Sequence, residues 1–197
     1  MKRLLIASAL AAFLLPGAMA QKSDTVKAIE EYRALLADGN PAELFEAKGQ
    51  DLWKKKRGPK NASLEACDLG QGPGVVKGAF VQLPRYFPDT KRVQDLESRL
   101  LSCMSMHQGI DEKEVAKTGF GKGEQANVTA LAAWISAESR GMKFNLPQSH
   151  SQEKAFYEVG KRLFFQRGGP HDFACATCHA KDDQRIRLQD LPNLTGN

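Results

Sequence analysis

The five residues Cys175-Ala176-Thr177-Cys178-His179 constrain this chain more than any other part of its sequence. Two thiols three positions apart lie on one helical turn, where each can add across a vinyl group of a porphyrin, and the adjacent imidazole can then bind the iron. The motif therefore predicts one covalently attached haem c, with Cys175 and Cys178 as attachment points and His179 as the proximal iron ligand.

The motif has two other interpretations. A zinc site would need a second Cys/His pair at ligand spacing, and a redox Cys-x-x-Cys pair does not require the histidine that follows. A haem site uses all three residues, so we interpret the motif as a haem site, with the redox pair and the half zinc site as alternatives.

The N-terminus predicts a secretory signal over residues 1–20. Lys2 and Arg3 precede an apolar run at residues 4–15, and small residues end at Ala20. A membrane anchor is the competing interpretation, but a spanning helix needs roughly 20 apolar residues, and no later segment is apolar enough to span a membrane. We expect a mature chain that begins at Gln21, in the periplasm, an oxidising compartment.

The net charge of the chain gives no argument for a nucleic-acid partner. The formal net charge of +5 falls to +3 when Lys2 and Arg3 leave with the signal, which is only mildly basic. The basic run at residues 54–57 is typical of a solvated helix end, although it could also help to dock an acidic redox partner.

Apolar positions recur every three to four residues along much of the chain, which predicts a mainly α fold of one moderate domain or two small ones. The predicted helices lie at residues 24–38, 41–57, 89–104, 125–140 and around 156–164. Asp89-Thr90 is the predicted cap of the third helix, and glycines and prolines predict turns from 70 to 88.

Cys67 and Cys103 lie 36 positions apart, with no neighbouring Cys or His that would make either one part of a haem motif. In an oxidising compartment the two would form a disulfide that stabilises the fold by roughly 3 to 4 kcal/mol. Two free thiols are the alternative.

Several stretches carry a family resemblance. They read SLEACDLGQGPGVVKG at 63–78, LPRYF at 83–87, VQDLESRL at 93–100, FACATCH at 173–179 and IRLQDLP at 186–192. On these strings the chain resembles the SoxA subunits of the SoxAX cytochromes of bacterial sulfur oxidation, over nearly all of the mature chain.

The resemblance implies two cytochrome c-like domains related by duplication. Residues 21–145 would form a haem-less first domain with a helical extension, and residues 146–197 the N-terminal part of the haem domain. Cys67 does not begin a Cys-x-x-Cys-His pattern, so the chain resembles the single-haem type, in which a disulfide occupies the place of the lost haem.

The resemblance also implies a function. Family members are subunits of an L-cysteine S-thiosulfotransferase, which joins thiosulfate oxidatively to a cysteine of the SoxYZ carrier protein and passes electrons through haem to a cytochrome c. The implied partner is the SoxX cytochrome subunit, with which the chain would form a heterodimer. The alternative is a periplasmic cytochrome that carries single electrons and forms no bond.

The family's second haem ligand is a cysteine that carries an extra sulfur. The 18 residues after His179 contain no Cys, Met or His, so the catalytic ligand is not in this chain. We therefore expect a C-terminally truncated sequence with an incomplete second domain, which conjugates thiosulfate poorly.

The remaining candidates are assigned weaker roles. Arg185 and Arg187 could face the haem propionates or thiosulfate, or simply solvent. His107 is expected to have no ligand role, His171 is too close to the motif in sequence to reach the other face of a haem, and His150 is expected to be exposed in a linker.

Overall fold

The computed structural model describes residues 24–37, 39–119, 121–187 and 189–195. The predicted signal at 1–20 and the predicted start at Gln21 lie outside these residues. Internal contacts divide the chain into two units, residues 1–38 and 39–197. The first contains helix α1 (Asp24–Ala37), close to the predicted bounds. The predicted domain division at residues 145 and 146 stays a prediction.

The second unit is mainly helical and contains two short antiparallel hairpins. Its helices are α2 (Ala42–Lys54), α3 (Leu96–Cys103), α4 (Glu112–Lys117), α5 (Gly123–Ala137), α6 (Ser151–Phe165) and α7 (Cys175–His179). Its strands are β1 (Arg85–Phe87), β2 (Arg92–Gln94), β3 (Arg185–Ile186) and β4 (Gln189–Asp190). The predicted mainly α class is thus confirmed, and no described helix is long and apolar enough to cross a membrane.

Helices α2 and α5 pack closely because a glycine lies where they meet. A Cβ atom built on Gly49 would overlap the carbonyl oxygen of Ala130 and come within 2.8 Å of the Cβ atom of Trp134. Trp53 and Trp134 pack against each other nearby, with ring centroids 5.9 Å apart. This crossing forms one side of the apolar core.

The predicted disulfide is present. Cys67 and Cys103 are bonded, both are completely buried, and their Cα atoms lie 5.6 Å apart. The bond joins the glycine-rich stretch after Cys67 to the end of α3, so the alternative of two free thiols is wrong.

The predicted helix at 89–104 is wrong in its first half. Val93 belongs to β2 and pairs with Tyr86 of β1, because the chain reverses at Lys91, whose φ of 55° breaks a helix. Helix α3 begins only at Leu96, where the Asp95 carboxylate accepts a hydrogen bond from the backbone of Ser98 at 2.8 Å.

Asp89, the predicted cap, binds a buried arginine instead. Both of its carboxylate oxygens accept from the guanidinium of Arg99, at 3.0 and 2.8 Å. The same guanidinium lies 3.9 Å from the ring centre of Phe87 and donates to the carbonyl of Asp68 at 2.7 Å. Arg99 thereby ties the first hairpin and the glycine-rich stretch to α3.

Candidate haem attachment site

Helix α6 leads to the motif and is joined to the first hairpin by one buried carboxylate. Glu153 is 6% exposed. Its two oxygens accept hydrogen bonds from the backbone of Tyr86 in β1, at 2.8 Å, and from the backbone of His150, at 3.0 Å. We call these three residues the Glu153 clasp.

His150 caps α6 and is not the exposed linker residue that we expected. Its Nδ1 atom accepts from the backbone of Gln152 at 3.2 Å, and its ring stacks on that of Tyr86, with centroids 3.7 Å apart and planes within 8°. Sequence analysis missed Glu153, although the His-x-x-Glu spacing has the form of a capping box, in which the third residue after the cap binds back to it.

The clasp keeps Glu153 charged. Burial raises the pKa of this carboxyl, but the hydrogen bonds from the backbone of Tyr86 and His150, together with the positive charge of Arg85, outweigh burial and leave the pKa below its ordinary value. At neutral pH the carboxylate is therefore an acceptor at both oxygens.

A tight reversal carries the chain from α6 to the motif. Gly168 and Phe173 exchange two backbone hydrogen bonds of 3.1 Å each, and Gly169 adopts a φ of 72°, which glycine allows without strain. Arg167 binds Asp172 across this reversal at 3.0 Å. His171 lies within it and is exposed.

The motif forms the short helix α7. The side chain of Thr177 accepts from the backbone of Ala174 at 3.0 Å and so caps the first turn. Cys175 is exposed, Cys178 is half-buried, and both thiols are free. Two thiols on one turn, both unbonded, fit the attachment of a porphyrin at its edge.

The ring of His179 is held in one tautomer. Its Nδ1 atom lies 3.0 Å from the carbonyl oxygen of Pro192. A carbonyl can only accept, so Nδ1 carries the proton and the Nε2 lone pair is left to bind a metal. The backbone of Leu194 also donates to the carbonyl of His179 at 2.8 Å. The segment 191–195 thus fixes the ring, a role of Pro192 that no spacing rule in the sequence reveals.

The other predicted candidates lie apart from this arrangement. Arg185 pairs with Asp190 across the second hairpin at 2.6 Å, and Arg187 lies exposed in the turn of that hairpin with a φ of 55°. His107 lies half-buried in the single π-helical turn that follows α3. Within the described ranges, no three His, Cys, Asp or Glu side chains converge so that they could hold a metal ion.

An apolar groove of about 500 Å³ runs along α6. Its walls come from α6, the first hairpin, the stretch before His150 and the segment 191–195. Its lining residues include Pro84, Phe156, Tyr157, Phe164 and Leu194. The motif residues do not line it. Several apolar side chains near the motif are also exposed, including Leu163, Phe173 and Ile186.

Comparison with known proteins shows which family this chain resembles. Residues 48–144 match the family described as SoxA/TsdA, cytochrome c domain. The chain is 57% identical over 170 residues to the L-cysteine S-thiosulfotransferase subunit SoxA of Hydrogenophilus thermoluteolus, an alignment that covers 86% of this chain and 62% of the relative. A subunit of the same name from Hydrogenobacter thermophilus is 30% identical over 181 residues, with 90% of this chain and 66% of the relative covered.

A solved structure is also similar. The crystal structure of SoxXA from P. pantotrophus superimposes with a TM-score of 0.63 and 27% identity, over 84% of this chain and 60% of that one. The chain thus spans less than two thirds of the length of these relatives.

Proposed function

Because this chain belongs to the SoxA/TsdA cytochrome c family, we propose that it is the haem-binding subunit of an L-cysteine S-thiosulfotransferase. The relatives that it matches carry that name. The observation that carries the proposal is the pairing of His179 with Pro192, because it prepares Nε2 as a metal ligand directly beside two free thiols.

The residues of this chain would hold one haem c. Cys175 and Cys178 would form its thioether links, and His179 would bind its iron from one side. When bound, the haem supplies one-electron redox chemistry. The chain itself orients the imidazole through Pro192 and holds the motif at the end of α6 through the reversal at 168–173.

The proposed reaction forms one sulfur–sulfur bond. The terminal sulfur of thiosulfate joins the sulfur of a cysteine on the SoxYZ carrier, and that thiol releases its proton. Two electrons are removed and reduce two equivalents of a cytochrome c. Anionic thiosulfate is suited to a guanidinium group, and Arg187 is exposed beside the second hairpin.

The proposed assembly is a heterodimer with the SoxX cytochrome in the periplasm. The similar solved structure is that of a SoxXA protein, which supports the heterodimer. The basic, apolar and small-residue pattern of residues 1–20 supports export. An intact mass of the secreted protein tests both export and haem: we expect a chain that starts at Gln21 and carries one haem.

The activity is tested with the secreted protein bound to its partner subunit. We expect thiosulfate and reduced carrier to give a carrier S-thiosulfonate, seen by mass, with two equivalents of acceptor cytochrome c reduced for each bond. The rate should be low, because residues 180–197 contain no Cys that could serve as a second haem ligand. Reduction and reoxidation of the haem without any carrier adduct would instead support a single-electron carrier.

A further inference from the structure

Residues 54–60, at the end of α2 and in the turn that follows it, contain five basic residues that the proposed reaction does not use. Lys54, Lys55, Lys56 and Lys60 are all exposed. The described residues show no ion pair for the first three of these lysines. We call residues 54–60 the cationic turn.

Backbone hydrogen bonds hold the cationic turn in one conformation. Arg57 and Ala62 exchange two of them, at 3.0 and 3.2 Å, and Asn61 donates to Gly58 at 3.0 Å. The backbone of Lys60 donates to the carbonyl of Gln108 at 3.1 Å, which fastens the turn to the π-helical turn after α3. The shape of the turn is therefore set before any partner arrives.

Its side chains are partly ordered as well. The Lys60 ammonium donates to the carbonyl of Met106 at 2.7 Å. The Arg57 guanidinium is largely buried and pairs with Glu124. Burial raises the pKa of that carboxyl, but the hydrogen bonds from Arg57 and Asn127 and the charges of Arg57 and Lys48 together leave the pKa below its ordinary value. Ordering these cations beforehand reduces the entropy lost on binding an anionic surface.

A solvated helix end explains only part of the cluster. Lys54 and Lys55 lie at the C-terminus of α2, where cations are favoured by the helix dipole. That effect falls off within the last turn, so it does not account for Lys56 or Lys60.

The shape and composition of the turn favour a protein partner. Single-stranded nucleic acids bind where aromatic side chains alternate with basic ones, and residues 54–62 contain no aromatic residue. Insertion into a membrane surface needs a larger apolar face, and the exposed apolar side chain beside Lys60 is Met106, at 39% exposure. We propose that the cationic turn is a docking surface for an acidic face of a partner protein, which it attracts from a distance.

The test uses the haem-loaded protein and a charge-reversed variant, Lys55→Glu/Lys56→Glu. The matched control, Lys77→Glu/Lys143→Glu, makes the same charge change at two exposed lysines outside the turn. Lys55→Arg/Lys56→Arg keeps the charge. Association rate constants are measured with the carrier protein and with the acceptor cytochrome c, at low and at high salt.

We expect the charge-reversed variant to associate with one of these two partners about tenfold more slowly at low salt, and the arginine variant to match the wild type. The difference should largely vanish at high salt. An equal loss in the control variant would mean that only net charge matters, and no loss in either would overturn the docking surface.

A second probe separates this proposal from the proposed function. If the wild type binds neither partner, the proposed function fails. Binding of a ten-residue glutamate peptide then tests whether the cationic turn is a docking surface for acidic groups. Weaker peptide binding by the charge-reversed variant alone supports the docking surface, and equal binding by all variants overturns it. Stronger capture by phosphatidylglycerol vesicles than by the peptide would overturn it in favour of a lipid surface.

Discussion

The region that holds the disulfide and the region that holds the haem motif bury their apolar side chains to very different extents. In the core of the first region the apolar side chains are almost completely covered, among them Leu100, Met104 and Leu131. In α6 the one buried residue is Glu153, and Phe156 and Leu163 are 60% and 59% exposed.

The difference shows that helices with similar amphipathic patterns, such as α2 and α6, can be stabilised in different ways. In the first region α2 and α3 pack against α5, so the side chains of these helices form a core. Helix α6 is attached through polar contacts at its first turn, and most of its apolar side chains are exposed. A haem bound at the motif would stabilise this region by mass action, because it would bind only the folded state.

The largest expected effect concerns the motif. Changing Cys175 and Cys178 together to Ala should abolish covalent haem, because both thioether links are lost, and the disulfide region should still fold. The measurement is haem absorbance that stays with the chain after denaturation. His171→Ala is the control and should keep full haem. Haem retained by the double variant would contradict the assigned attachment points.

The next effect concerns the disulfide. Replacing Cys67 and Cys103 by Ala should lower the free energy of unfolding of the first region by roughly 3 to 4 kcal/mol, because the unfolded chain loses a constraint. Denaturant unfolding followed by the fluorescence of Trp53 and Trp134 reports on this region, where both tryptophans lie. Reductant should destabilise the wild type and leave the variant unchanged; a variant as stable as the oxidised wild type would refute the prediction.

One glycine substitution made in both regions sharpens the comparison. Gly49→Ala should destabilise the first region by about 3 kcal/mol, because the new methyl group overlaps the Ala130 carbonyl and forces α2 and α5 apart. Gly160→Ala in α6 meets no atom within 4 Å and should stabilise that helix by up to about 1 kcal/mol. Thermal unfolding followed by the fluorescence of Trp53 and Trp134 measures the first change, and hydrogen exchange at the amides of α6 measures the second. Equal effects of the two substitutions would show that the regions are packed alike.

The smallest expected loss of stability concerns the Glu153 clasp. Glu153→Gln should weaken the docking of α6 by about 1 to 2 kcal/mol, because an amide offers one acceptor oxygen to two N–H donors. Hydrogen exchange at the amides of Tyr86 and His150 measures the change directly. Glu158→Gln, on an exposed position of the same helix, is the control and should change neither amide.

The clasp also predicts a pH dependence. The folded pKa of Glu153 lies below its ordinary value of 4.5, so the carboxylate stabilises docking above that value and the contribution is lost as the pH falls through the folded pKa. Protection of the Tyr86 amide should therefore be constant from pH 7 to about 5 and decrease below about 4 in the wild type. Protection in Glu153→Gln that fell in the same way would rule out Glu153 as the titrating group.

The sequence predicted most helices well, because their apolar spacing and their glycine or proline ends are local signals. The helix predicted at 125–140 is observed at Gly123–Ala137, and that around 156–164 lies within Ser151–Phe165. The failure at 89–104 has a tertiary cause. Pairing of Val93 with Tyr86 in the first hairpin prevails over the helical spacing that begins there.

What the sequence by itself determined is the local chemistry: a mainly α chain, a bond between Cys67 and Cys103, and a motif whose two thiols and imidazole share one turn. Only the tertiary structure decided how these parts are held. The hydrogen bonds from His179 to Pro192 and from Tyr86 to Glu153 join residues 13 and 67 positions apart. Such contacts depend on where the backbone places each carbonyl and amide, and side-chain identity alone does not encode that.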